Sequence, residues 1–224
     1  MGKIENKRQF ILDHAALLPV PLTPEIELYL ADDQTPLWRL GEEDLLELGL
    51  PSPFWAFAWA GGQALARYCL DNPDLTNSKS VIDFASGSGL VAIAAAKAGA
   101  NRVLATDIDP FSVEAIQINA EHNNVTLQAS IDDLLTSDAI DHLRKNPPDI
   151  FLAGDVFYDA EMTKAVLALL EPLAQRGTEI LVGDPNRSYL PQDRLELIET
   201  YQVPVTRELE DYEIRSTKVW RFRV

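Results

Sequence analysis

Val81-Ile82-Asp83-Phe84-Ala85-Ser86-Gly87-Ser88-Gly89, running on into Leu90-Val91-Ala92-Ile93-Ala94-Ala95-Ala96, is the stretch that decides the fold. An apolar strand carrying an acid at Asp83 enters a turn of small residues and leaves it as an alanine-rich helix. Gly87 and Gly89 present no Cβ and tolerate unusual dihedrals, so the backbone there can approach a ligand closely. The helix N-terminus behind them supplies unpaired N–H groups. Such a strand–turn–helix suits an adenosine-bearing cofactor.

Working outward from the turn, strand and helix signals alternate from Ser80 onward, which predicts a mostly parallel sheet with helices on both faces. Strands are expected at Ser80–Ala85, Arg102–Thr106, Val125–Ala129, Asp149–Ala153 and Glu179–Val182. Between them fall helices at Leu90–Ala98, closed by Gly99, after Asp109-Pro110, where Asp caps and Pro takes the first turn, at Asp132–Leu143 and at Ala160–Gln175. A helix near Gln192–Tyr201 is followed by two β-rich stretches, Val203–Leu209 and Arg215–Val224, with no room for a helix between them. These pair best as an antiparallel hairpin at the sheet edge. The fold class is therefore α/β: a Rossmann-like, seven-stranded, mostly parallel sheet with an antiparallel C-terminal hairpin.

Residues 1–78 form a less regular N-terminal elaboration that packs on the core and covers the cofactor, and residues 79–224 form the binding domain. In the first part Asn6–Leu17 reads as helix, Glu25–Leu30 as strand and Glu42–Leu48 as a short helix. Pro53-Phe54-Trp55-Ala56-Phe57-Ala58-Trp59 gathers four aromatic rings just before Gly61-Gly62-Gln63. These rings are either core or an aromatic lid.

Nineteen basic against 35 acidic side chains give a net charge of −16, a surface that repels phosphate backbones and argues against nucleic acid as partner. Cys69 is the single cysteine, which excludes an internal disulfide and a multi-cysteine metal site, and its apolar neighbours predict a buried thiol. His14, His122 and His142 lack ligand spacing, so no metal is expected. Neither a membrane-length apolar run nor a signal peptide is read from the chain, and the expected location is cytoplasmic.

Gly87-Ser88-Gly89-Leu90-Val91-Ala92 also satisfies the dinucleotide fingerprint, and Asp107, ending strand two, can bind both ribose hydroxyls. A NAD-binding oxidoreductase is thus one reading. Asp83, four residues before Gly87, tilts the choice: a carboxylate there would repel a pyrophosphate but could face an ammonium. S-adenosyl-L-methionine carries an α-amino group and a sulfonium and no phosphate.

Asp-x-x-x-Gly-x-Gly with an acid after strand two resembles the seven-β-strand S-adenosylmethionine-dependent methyltransferases. That resemblance implies that Asp83, Ala85 and the Ser86–Gly89 backbone lie near the methionine moiety. It puts Asp107 with Ile108 at the ribose and Asp132, within Ser130-Ile131-Asp132-Asp133-Leu134, near adenine. A helix N-cap is the equal alternative for Asp132. Asp155-Val156-Phe157-Tyr158, after strand four, resembles the Asp-x-x-Tyr motif of protein lysine methyltransferases of this class. Pro53–Gln63, Asp83–Gly89, Gly154–Asp159 and Gly183–Pro191 resemble the methyltransferases of the electron transfer flavoprotein β subunit, with Ala60 where a proline is expected. The implied acceptor residues are Asp155 to orient the amine and Phe157 and Tyr158 to wall a lysine channel, while Trp59, Gly61 and Gly154 attend the cofactor. The other reading makes Phe157 core and Asp155 a helix cap. A small-molecule N-methyltransferase of the same fold is the competing function.

Overall fold

The structure, a computed structural model, describes residues 4–41, 44, 45, 47, 50–206 and 213–224. The chain opens with α1 (Lys7–His14), β1 (Ala16–Val20) and β2 (Thr23–Leu30), the two strands pairing antiparallel. After the aromatic segment come α2 (Ala60–Asp71), β3 (Ser80–Phe84), α3 (Leu90–Lys97), β4 (Arg102–Thr106), α4 (Pro110–His122) and β5 (Gln128–Ser130). The chain continues through α5 (Ser137–Lys145), β6 (Ile150–Gly154), α6 (Ala160–Ala174), β7 (Glu179–Asp184), β8 (Leu195–Pro204) and β9 (Ile214–Phe222).

Caps set the helix starts. Asp109 accepts from Phe111 N–H with Pro110 in the first turn, and Asp159 accepts from Glu161 and Met162 N–H. Thr136, not Asp132, caps α5, so the helix expected from Asp132 begins at Ser137 and the N-cap reading of Asp132 falls. Asp155 does not cap α6, whose first N–H groups are taken by Asp159. The short helix expected over Glu42–Leu48 lies for the most part outside the described residues.

The main sheet has the order β5-β4-β3-β6-β7-β9-β8. β3 pairs in parallel with β4 on one side and β6 on the other, Phe84 facing Thr106 and Ala153. The strand order reverses between β3 and β6, and ligands of open α/β sheets sit outside the carboxyl ends at such a point. β9 pairs antiparallel with both β7 and β8, so it alone runs against the other six.

The strand interiors are buried on both faces, as a helix-covered parallel sheet requires. Val81, Ile150, Leu152 and Leu181 point into the core beneath α2 and α3, while Ile82, Phe151, Ala153, Ile180 and Val182 point into the core beneath α6. Ile26, Leu28 and Leu30 of the N-terminal hairpin join the first of these cores, and α1 packs on α4 with Phe10 against Phe111 (5.6 Å).

Gln192–Arg194 makes one 3₁₀ turn and Leu195–Pro204 a strand, so the helix expected near Gln192–Tyr201 does not form. The register of β8 against β9 slips between Leu197 and Glu199. That slip turns Ile198 to the same core as Tyr201 and Val205, and the resulting spacing of three imitates a helix. Among the described residues no helix is long and apolar enough to cross a membrane.

Candidate functional site

The reversal point between β3 and β6 is lined by two strained turns, one after each strand. Ala85 (φ 52°) and Asp155 (φ 58°) both take the left-handed conformation without being glycine, and Gly87 (φ 55°) and Gly89 (φ 85°) follow in the first turn. Non-glycine residues are held there at a cost, and such outliers cluster at functional sites.

Asp83 lies on the α3 face of the sheet and is 1% exposed. Ser86 Oγ donates to its Oδ2 (2.5 Å) and Ala92 N–H to the same oxygen (2.9 Å). Burial pushes its carboxyl up to about 7, against the pull of those two hydrogen bonds, and the charge of Asp107 adds to the rise. Asp107, half-buried at the end of β4, accepts from Gly87 N–H (2.9 Å) and from Asp109 N–H (2.9 Å).

Four N–H groups around the glycine turn are committed: Ser86 to Thr106 O, Gly87 to Asp107, Gly89 to Ser86 O and Ala92 to Asp83. Two carboxylates, Asp83 and Asp107, flank the same turn. Their negative charge disfavours a pyrophosphate and suits a cofactor with an ammonium, a sulfonium and a ribose. Past the ends of β4 and β5, Ile108 (71% exposed) and Ile131 (54% exposed) present apolar surface, tied together where Asp107 N–H meets Ser130 O. Asp132 is exposed beside them and accepts from Ser130 Oγ (2.6 Å).

The aromatic segment divides. Trp55 is core and Phe57 packs against it, whereas Phe54 is exposed. The backbone at Phe54 and Trp55 passes within 3.9 Å of where a Cβ on Gly87 would stand, so this segment overlies the turn. Trp59 caps α2, donates Nε1–H to Phe54 O (2.9 Å) and stands at 5.8 Å from the ring of Phe57.

Gly61 is a packing residue in this structure. A Cβ on it would run into the carbonyl oxygen of Gly183 and the carboxylate of Asp155, and one on Gly154 would press on Gly62. The N-terminus of α2 thus touches the ends of β6 and β7 backbone to backbone. Asp155 ties the three elements together, its N–H donating to Gly183 O (2.9 Å) and its Oδ2 accepting from Gly62 N–H (3.0 Å). Its Oδ1 accepts from Arg187 Nε (3.0 Å) and Nη2 (2.7 Å). That guanidinium lies 5.8 Å from the centroid of Trp59.

Phe157, expected to wall a channel, is fully buried beneath α6 and presents nothing to a ligand, so the core reading holds for it. Tyr158 (57% exposed) is the aromatic displayed at this edge, with Tyr189 from the loop after β7.

Two residues escaped the sequence reading. Arg187 has no local pattern to mark it; a base three residues beyond Asp184 in so acidic a chain is the available signal. Asn119 is a polar residue on the buried face of α4. It donates Nδ2–H to Ser88 O (2.8 Å) and accepts from Tyr29 N–H (2.8 Å), fastening the turn to β2.

Residues 63–154 match the ribosomal protein L11 methyltransferase (PrmA) family. The chain is 36% identical to the electron transfer flavoprotein beta subunit lysine methyltransferase of Xenopus laevis over 96% of its own length and 86% of that protein's. Against the human protein of the same name the identity is 36%, covering 90% and 76%. The crystal structure of the ribosomal protein L11 methylase of Lactobacillus delbrueckii subsp. bulgaricus shares the fold with a TM-score of 0.50 at 20% identity, over 75% of this chain and 81% of that one.

Proposed function

Because the chain belongs to the family of electron transfer flavoprotein β-subunit lysine methyltransferases, we propose that it methylates lysine side chains of that flavoprotein subunit, with S-adenosyl-L-methionine as donor. One observation carries the reading: Asp155 and the glycine turn flank the same reversal point, on strands that are hydrogen-bonded neighbours. A donor held at one turn and an amine held at the other would meet there.

S-adenosyl-L-methionine, when bound, supplies a methyl carbon on a cationic sulfur. Asp83 and the backbone of Ala85–Gly89 would hold its methionine part, Asp107 the ribose, and Ile108 and Ile131 with Asp132 the adenine. Trp59 and the backbone over Gly87 would limit water at the reacting groups. Methyl transfer needs alignment more than acid–base power, and neighbouring strand ends provide it. Asp155 orients the amine and Tyr158 flanks its path, with cation–π attraction available from the ring. The open rim of Phe54, Tyr158 and Tyr189 favours a lysine displayed on a protein over a small molecule in a closed pocket.

Incubation with labelled S-adenosyl-L-methionine and recombinant flavoprotein β subunit, followed by peptide mapping, tests the assignment. Label should appear on lysine, and Asp155→Ala should lower turnover while leaving S-adenosylhomocysteine affinity intact. An unlabelled subunit would sink the reading.

A further inference from the structure

A carboxylate facing the acceptor lysine solves one problem and worsens another. It attracts the ammonium, but the ammonium has no lone pair to give. A lysine of pKa about 10.4 is neutral only in roughly one part in a few thousand at pH 7, and an unbalanced carboxylate beside it lowers that fraction further.

The structure balances the carboxylate. Arg187 reaches Asp155 Oδ1 with two nitrogens, and its other face lies toward Trp59. The loop that carries it is fixed: Arg187 N–H donates to Asp184 Oδ1 (2.7 Å), Asn186 sits at φ 71°, and Gln192 Nε2–H holds the Asn186 side chain (2.7 Å). Among the described residues, the neighbouring elements bring Asp155 no second cation in its place. The first turn of α2 holds no acid and contributes Gly62 N–H. β7 brings Asp184, fully buried, with one carboxylate oxygen lacking a partner and a charge that opposes Asp155. Lys218 of β9 stands opposite Asp184 in register, but its ammonium is placed over Trp220 (5.2 Å). Tyr158 follows in sequence and is exposed, and Asp159 is committed to capping α6.

We propose that Arg187 is a positioning residue that keeps the acceptor lysine able to lose its proton: fixed between Asp155 and Trp59, its charge offsets the carboxylate that would otherwise trap the incoming side chain as an ammonium. The proton leaves to water, and the amine keeps its lone pair in the site while Asp155 remains a hydrogen-bond acceptor that orients it. This inference rests on the lysine-acceptor reading above.

The test is the pH dependence of kcat at saturating flavoprotein β subunit, which reports ionisations within the enzyme–substrate complex, for the wild type and for Arg187→Gln, Arg187→Met and Arg187→Lys. Removing the cation should move the acid limb up by about one pH unit. That corresponds to roughly a tenfold loss at pH 7 which closes as the pH rises past the limb. Arg187→Lys should return the limb toward the wild-type position, and S-adenosylhomocysteine affinity should be unchanged in all. Two neutral variants are used so that poor folding of one leaves the other to decide. A loss that is uniform with pH, or a fall in KM with the limb unmoved, overturns the inference and makes Arg187 a brace or a mere occupant. A wild-type chain inactive on the subunit overturns the lysine reading and this inference together, whereas an active wild type with unmoved limbs in the variants overturns the inference alone.

Discussion

Asp83 combines two demands that oppose each other at the scale of a single side chain. It is buried among apolar residues, which favours its protonated form, and it faces the place proposed for a cationic ligand, which favours the carboxylate. With its carboxyl raised to about 7 in the folded chain, against a reference of about 3.9 when unfolded, the folded state binds the extra proton. Its contribution to stability is therefore complete below about pH 4 and is lost as the pH rises through about 7. Both of its hydrogen bonds fall on one oxygen, so Asp83→Asn can keep them with its amide oxygen while removing the titration. The ligand-free variant should show a flatter thermal midpoint between pH 5 and 8 than the wild type. Parallel midpoints in that range would remove Asp83 from the pH response. Asp83, Asp107 and the glycines were legible because strand, turn and helix leave local marks. The Asp155–Arg187 pair joins positions 32 apart, with α6 and β7 between them, and local pattern does not register it.

Among the elements, the meeting of α2 with the ends of β6 and β7 has the least tolerance. Gly61→Ala places a methyl on the carbonyl of Gly183 and the carboxylate of Asp155, where backbone must move to receive it. Chemical denaturation should report a loss of about 1–3 kcal/mol or more. Its neighbour is the control: a Cβ on Gly62 meets only Val91 Cγ2 at 3.9 Å, so Gly62→Ala should be neutral or stabilise by up to about 1 kcal/mol. Equal effects at the two positions would contradict this geometry. The element boundaries show what periodicity can and cannot deliver. β3, β4, β6 and β7 each centre on a short apolar run, and their bounds agree with the sequence pattern to within a residue or two. β8 reads as a helix in sequence because its register slip spaces Ile198 and Tyr201 by three, and only pairing with β9 distinguishes the two.

For the molecule as a whole, the expected boundary at residue 78 cuts through a shared core. α2, in residues 60–71, covers the sheet face built from Val81, Leu152 and Leu181, and β2 adds Ile26 and Leu28 beside it. Residues 79–224 alone should therefore lack a cooperative thermal transition and bind no S-adenosylhomocysteine; a folded, binding fragment would restore the boundary. The same architecture governs when the cofactor site comes into being. Asn119 fastens the glycine turn to Tyr29, a partner 90 positions away, and such non-local contacts are slow to form. A nascent chain leaving the ribosome as far as Leu90 already contains the acid and both glycines. It has no finished turn until the segment bearing Asn119 has emerged and returned to the start of the chain, so donor binding should not appear during synthesis before that segment is free of the ribosome.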